Sequence, residues 1–199
     1  MTQRNGRRRW QFSLRAMFVL VTVLGAWLGW TVHRANQQRL AVERVTALGG
    51  DVEYAFEFDD VLRRTRPANR EPPGPSWLRD VIGEEFFLRV VAVNLDSTAV
   101  RDEDLRMQGL PDLERLGLGH TAVSDRGISE LRGLRRLRGL ICDDTQVKGE
   151  TLDALAACDE LDWIKLDESP VTSVGIAQLG RLRGVEHLTL LDTPIGDES

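Results

Sequence analysis

From residue 90 onward the chain repeats itself, and that constrains its fold more than any other feature. LERLGLGHTAVSDRGISELRGLRR (113–136), LRGLICDDTQVKGETLDALAACDE (137–160) and LDWIKLDESPVTSVGIAQLGRLRG (161–184) align residue for residue as units of 24. A unit one residue shorter, 90–112, precedes them, and a partial one, VEHLTLLDTPIGDES (185–199), follows. Each unit has apolar residues two apart, Val93/Leu95, Leu116/Leu118, Leu140/Cys142, Ile164/Leu166 and Leu188/Leu190, as one face of a short strand requires. Apolar residues three apart follow: Ile128, Leu131 and Leu134, then Leu152, Leu155 and Cys158, then Ile176, Leu179 and Leu182. Asp125 and Ser173 stand ahead of two of these runs as helix N-caps.

A period of 20–29 with LxxLxL is the signature of a leucine-rich repeat. A single unit cannot bury its own apolar face, so neighbours must stack. The expected fold is α/β: a solenoid of parallel strand–helix units with a parallel sheet on its concave side. One departure is local. Thr98, Thr121, Thr145, Ser169 and Thr193 stand where such repeats carry Asn or Cys, and a hydroxyl makes only part of that turn network. The turn should therefore differ while the fold does not. Cys142 and Cys158 fall on apolar positions and read as small core residues.

The stretch AMFVLVTVLGAWLGWTV (16–32) has no charge in a chain that is 29% charged. Trp10 and Trp30 bracket it 20 residues apart, about 30 Å of helix, the spacing of two interfacial aromatic belts. An uncleaved anchor is the first reading. A signal peptide has the same order of Arg-rich, apolar and polar segments, but no small-x-small site closes this run. Arg4, Arg7, Arg8, Arg9 and Arg15 precede the span and Arg34, Arg39 and Arg44 follow it, which places the N-terminus in the cytoplasm and the rest outside. Gly25 and Gly29 form a GxxxG through which two such helices can dimerise. The organisation expected is a basic tail (1–15), a transmembrane helix (16–32), a juxtamembrane helix with an N-terminal cap (33–89) and repeats (90–199).

The cap is read as a helix over 33–48 ended by Gly49-Gly50, a strand at VEYAFEF (52–58), a proline-rich loop (65–75) and a short amphipathic helix at 76–87. The runs FSLRAMFVLVTVLGAWLGW, VERVTALGGDVEY and PGPSWLRDVIGEEFF, leading into TAV-x-D repeats, resemble short membrane-anchored leucine-rich repeat proteins of planctomycete bacteria. The resemblance covers nearly the whole chain. It implies this architecture and a bacterial origin, and brings no catalytic residue.

Charge is divided. Residues 1–50 hold eight arginines against Glu43, a net +7, and the remainder holds 18 basic and 30 acidic side chains, a net −12. An acidic repeat domain argues against nucleic acid as a partner. The sequence carries no HExxH, nucleophile elbow, phosphate loop or CxxC, so no enzymatic role, cofactor or metal centre is expected. Candidate binding residues are those alternating with the buried pairs. Arg115, Trp163 and His187 lie at strand starts, Ile141 and Lys165 in the centre, and the acids Asp96, Asp143, Asp144, Asp167, Glu168 and Asp192 at strand ends. An aromatic beside dense charge suits a protein partner with a basic segment; a divalent cation held by the carboxylates and plain solubility are the competing readings. The repeats stop at PIGDES, one strand into a unit, so a partner or a few polar residues must cover that end. The alternative to a binding module is a self-associating scaffold of the cell envelope.

Overall fold

The computed structural model describes residues 14–55, 58–59, 64–65, 73, 75–82, 87–107 and 109–194. Trp10 and the basic residues Arg4 to Arg9 lie outside them, as do the proline-rich loop for the most part and residues 195–199.

Helix α1 runs from Leu14 to Ala47 without a break. It ends because Gly49 takes φ +85°, letting Gly49 N–H donate to the Thr46 carbonyl and Gly50 N–H to the Val45 carbonyl. This paired closure satisfies carbonyls that the helix end leaves open. Strand β1 (Asp51–Tyr54) follows, then the short pair β2 (Phe58–Asp59) and β3 (Arg64–Thr65), and helix α2 (Ser76–Ile82). The strand expected over 52–58 is thus already over at Tyr54, and the helix expected to reach 87 is described as far as Ile82, with residue 87 in a turn.

The repeats supply β4 (Val90–Asn94), β5 (Arg115–Gly117), β6 (Gly139–Ile141), β7 (Trp163–Lys165) and β8 (His187–Thr189). They form one parallel sheet in chain order, and β1 pairs antiparallel with β4 at its head. The register follows the sequence period: Ala92 pairs with Arg115, Arg115 with Gly139, Gly139 with Trp163 and Trp163 with His187. Leu95, Leu118, Cys142 and Leu166 are wholly buried on the inner side with Val93, Leu116, Leu140 and Ile164. The expected two-residue alternation divides core from surface as far as β7; in the last strand Leu188 is exposed and Leu190 half-buried.

Behind the sheet the units differ. Helices α3 (Asp125–Glu130) and α4 (Ser173–Leu179) alternate with 3₁₀ turns at Asp102–Asp104 and Leu152–Leu155. An apolar spacing of three suits either, because 3₁₀ geometry repeats every three residues. The N-caps fall one residue earlier than the sequence suggested. Ser124 and Thr172 hold extended backbone, and their side chains accept from Arg126 N and Gly175 N. Asp125 instead accepts from the Lys148 amide with its carboxylate, at 2.8 Å, and so ties one unit to the next.

The second half of α1 closes the first open layer of this stack. Ala35, Ala41 and Val45 are buried. Gly109 lets the helix in: a Cβ there would lie 2.3 Å from the Gln37 carbonyl oxygen. Gln38 donates to the Leu88 carbonyl and Arg44 to the Arg106 carbonyl. Arg34 pairs with Asp112, which also faces Arg136 at 3.5 Å. The first half touches nothing comparable. Met17, Phe18, Leu24, Trp27 and Trp30 are all more than half exposed.

Candidate functional site: the open face of the sheet

The strands place the residues between the buried pairs on the opposite, open face. At the strand starts stand Arg115, Trp163 and His187, with Gly139 between the first two. Gly139 decides the local shape. A Cβ at that position would lie 3.2 Å from Trp163 Cε3 and 3.5 Å from Arg115 Cγ, so the indole leans over bare backbone toward the arginine. Arg115 is itself held, donating to Glu53 of β1 at 2.9 Å. Trp163 and Ile141 are half-buried, and His187 at the edge strand is exposed. The result is a shallow apolar floor flanked by a fixed cation.

At the strand ends the six candidate acids separate into two rows. Asp96, Asp143 and Asp167 form a ladder between units. Their Oδ1 atoms accept the amides of Gly119 (2.7 Å), Asp167 (3.1 Å) and Leu191 (2.8 Å), each one unit further along. Gly117 makes room for the first rung, since a Cβ there would stand 2.8 Å from Asp96 Oδ1. Gly119 interrupts the ladder, having no carboxylate to offer the next unit. Lys165 lies between the last two rungs, paired with Asp143 and 3.1 Å from Asp167 Oδ2.

Burial works to raise the pKa of Asp167, but the Leu191 amide and the Lys165 ammonium outweigh it and hold the group below the ordinary carboxylate range. A depressed carboxylate contributes stability above its unfolded pKa and loses it as pH falls through the folded value, so this rung weakens only in acid. Lys165 is raised in turn by its bonds to Asp143 and Asp167. These three acids are structural members of the stack rather than free charges.

The second row is Ser97, His120, Asp144, Glu168 and Asp192, which all hold positive φ between 48° and 59°. Five successive units thus turn through the same left-handed residue, at a cost of about 1 kcal/mol or more each for a side chain. The hydroxyl after it explains how the turn closes. Thr98, Thr121 and Thr145 donate to the carbonyls of Leu95, Leu118 and Cys142, three residues back. Ser169 reaches instead to the Cys142 carbonyl of the preceding unit and also meets Thr145 Oγ1 at 3.1 Å. These hydroxyl bonds close the turn with Thr or Ser at that position. The left-handed row was missed from sequence, because Ser, His, Asp and Glu share polarity and little else. Its one signal was position, between strand end and hydroxyl.

The left-handed turn points Asp144, Glu168 and Asp192 into solvent. His120 Nδ1 lies 3.1 Å from Asp144 Oδ2, and that bond, with Glu168 and Asp143 nearby, raises the His120 pKa above its usual value. Among the described residues no three His, Cys, Asp or Glu side chains gather where a metal ion could be held. Cys142 and Cys158 are free thiols in the core. Burial, aided by Asp159, pushes Cys158 up to about 11, and burial raises Cys142 further. Both are protonated near neutral pH and neither reaches the open face.

Gly25 and Gly29 lie on the bare half of α1, with nothing within 4 Å of where a Cβ would stand. Among the described residues one helix, Met17–Ala47, is long and apolar enough to cross a membrane, and none of its most apolar window is buried. Length and composition fit an anchor and a signal sequence equally.

No protein-family model and no curated protein matches the chain. Solved structures do. Internalin C2 from Listeria monocytogenes aligns at 27% identity over 41% of this chain and 34% of that one, with a TM-score of 0.36. An internalin, inlF, from the same organism aligns at 16% identity over 61% of this chain and 43% of its own, with a TM-score of 0.41. The LRR ectodomain of the plant membrane receptor kinase GASSHO1/SCHENGEN3 from Arabidopsis thaliana, solved in complex with CASPARIAN STRIP INTEGRITY FACTOR 2, aligns at 23% identity. That match covers 54% of this chain and 16% of the ectodomain, with a TM-score of 0.41. The chain spans less than half the length of each of these leucine-rich repeat structures.

Proposed function

We propose that this chain is a single-pass, membrane-anchored leucine-rich repeat protein whose open sheet face binds a protein partner outside the cytoplasm. The observation that carries the reading is the seat of Trp163 over Gly139, beside an Arg115 already fixed by Glu53. A rigid aromatic on a preorganised floor loses little entropy on binding, which is how a few residues come to dominate an interface. The partner segment is extended and basic, its apolar side chains meeting Trp163 and Ile141 and its cations the solvent-facing Asp144, Glu168 and Asp192. Asp96, Asp143 and Asp167 shape the edge but are engaged with backbone, so they contribute field more than contact. Lys165 and His187 border the same surface. On this reading the domains are the basic tail (1–15), the span (16–32), the juxtamembrane helix and cap (33–89) and the repeat solenoid (90–199). The chain works by contact, with no cofactor.

Crosslinked capture of the full chain from membranes tests this. A partner taken by the wild type should be lost with Trp163→Ala and with Asp144→Lys/Glu168→Lys, and retained with Val174→Ala on the opposite side. If all variants capture only further copies of this chain, association through the Gly25/Gly29 face replaces partner binding, and the protein is an envelope scaffold.

A further inference from the structure

Helix α1 fixes more than the attachment of the stack. Its packed half enters at Arg34, which pairs with Asp112 in the turn leading to β5, and leaves at Val45, beside the end of β4. It therefore runs in the direction of the strands, from their starts toward their ends, and the bare half projects past the strand-start edge. Trp30 is the last aromatic of that bare half, and Arg34 lies over its ring at 5.7 Å. Four residues of helix span about 6 Å. If Trp30 sits at headgroup level, as interfacial aromatics do, the turns that feed the strands begin within one Debye length of the lipid phosphates, about 8–10 Å.

The two edges differ in charge. The strand-start turns are close to balanced, exposing Arg135, Arg181 and Arg183, and Arg136 beside Asp112, against Asp159, Glu160 and Glu186. The strand-end edge exposes Asp144, Glu168 and Asp192. Ala47 lies about 25 Å further along the helix than Trp30, so the acidic edge is two or more Debye lengths from an anionic surface and is barely repelled by it.

We infer that the repeat stack lies along the bilayer on its strand-start edge, the arginines of its turns against phospholipid phosphates, with the acidic edge facing away. A guanidinium matches a phosphate with two parallel bonds, and basic residues near an anionic surface are drawn to it. The orientation rests on the anchor reading above and adds to it. It makes the partner a soluble or opposing segment approaching from the far side, because the strand-end edge is the one left open to it.

The test uses the full chain in vesicles of phosphatidylglycerol and phosphatidylcholine carrying a headgroup quencher. A dye is placed at Glu186→Cys on the near edge or at Glu168→Cys on the far edge; each change removes one acid. Flotation is measured first. Expected is co-flotation that survives high salt, with near-edge quenching about threefold stronger than far-edge, the two labels standing roughly 20 Å apart, six residues of extended strand. Arg135→Glu with Arg183→Glu should at least halve that ratio. Failure to float ends the anchor reading and this inference with it. Flotation with equal quenching, or a ratio that ignores the charge reversal, overturns the inference and leaves the anchor standing.

Discussion

Residues 17–32 and residues 34–47 belong to one unbroken helix, yet they solve the problem of burial in opposite ways. The first part is apolar nearly all round, and its large side chains stay exposed. The second is mostly polar, and buries a narrow line of small residues, Ala35, Ala41 and Val45, against the end of the repeat stack. A helix apolar all round needs an apolar solvent, whereas one with a stripe needs only a matching surface. The more hydrophobic half is thus the one that contributes nothing to the repeat domain. Composition alone would have put it in the core.

The sharpest break of this contrast is a charge in the bare half. Leu24→Arg places a cation in the middle of the apolar run, costing about 3 kcal/mol for insertion at the helix centre. Flotation with vesicles should fall by more than tenfold, while the melting temperature of the repeat domain in detergent stays where it was. A drop in that melting temperature would mean that residues 17–32 pack on protein after all, and that α1 has no bare half.

The converse change is Gly109→Val. The added Cβ would stand 2.3 Å from the Gln37 carbonyl oxygen and 3.0 Å from the Ala41 Cβ, both on the packed half. The helix must lift, exposing Val45 and the apolar layer of the first unit beneath it. Overpacking of this kind costs about 2–3 kcal/mol. Chemical denaturation should read that loss, with hydrogen exchange raised first along β4 and at Leu95, and with membrane flotation unaffected.

What could be read in the amino acids tracks the range of the interaction that fixes it. The register of β4 to β8 was legible because one period, repeated four times, sets both the strand positions and their buried pairs. The end of α1 was legible because Gly49-Gly50 signals its own closure. The ladder through Asp96, Asp143 and Asp167 was not, since an aspartate at a strand end looks the same whether it faces water or the amide of a residue 23 or 24 places on. Gly109 and Gly139 were invisible for the same reason. Their significance lies in Gln37 and Trp163, which pass across them from other elements. The candidate site was thus half legible. Its residues were found by alternation, but its division into structural and solvent-facing acids came only with the backbone.

The smallest effect falls at the boundary between the two halves of α1. Arg34 is the first residue to engage the stack, and its guanidinium meets Asp112, which Arg136 also approaches. Arg34 is itself 42% exposed, so the pair is screened, and its loss in Arg34→Gln should cost about 0.5–1 kcal/mol. Geometry makes it informative beyond that figure. If α1 is held to the stack mainly by Ala41, Val45 and Gly109, the variant keeps its melting temperature within a few degrees, and 1 M salt reproduces the change in wild type. A loss several times larger, insensitive to salt, would mean that the packed half is held chiefly by this ion pair and not by Ala41, Val45 and Gly109.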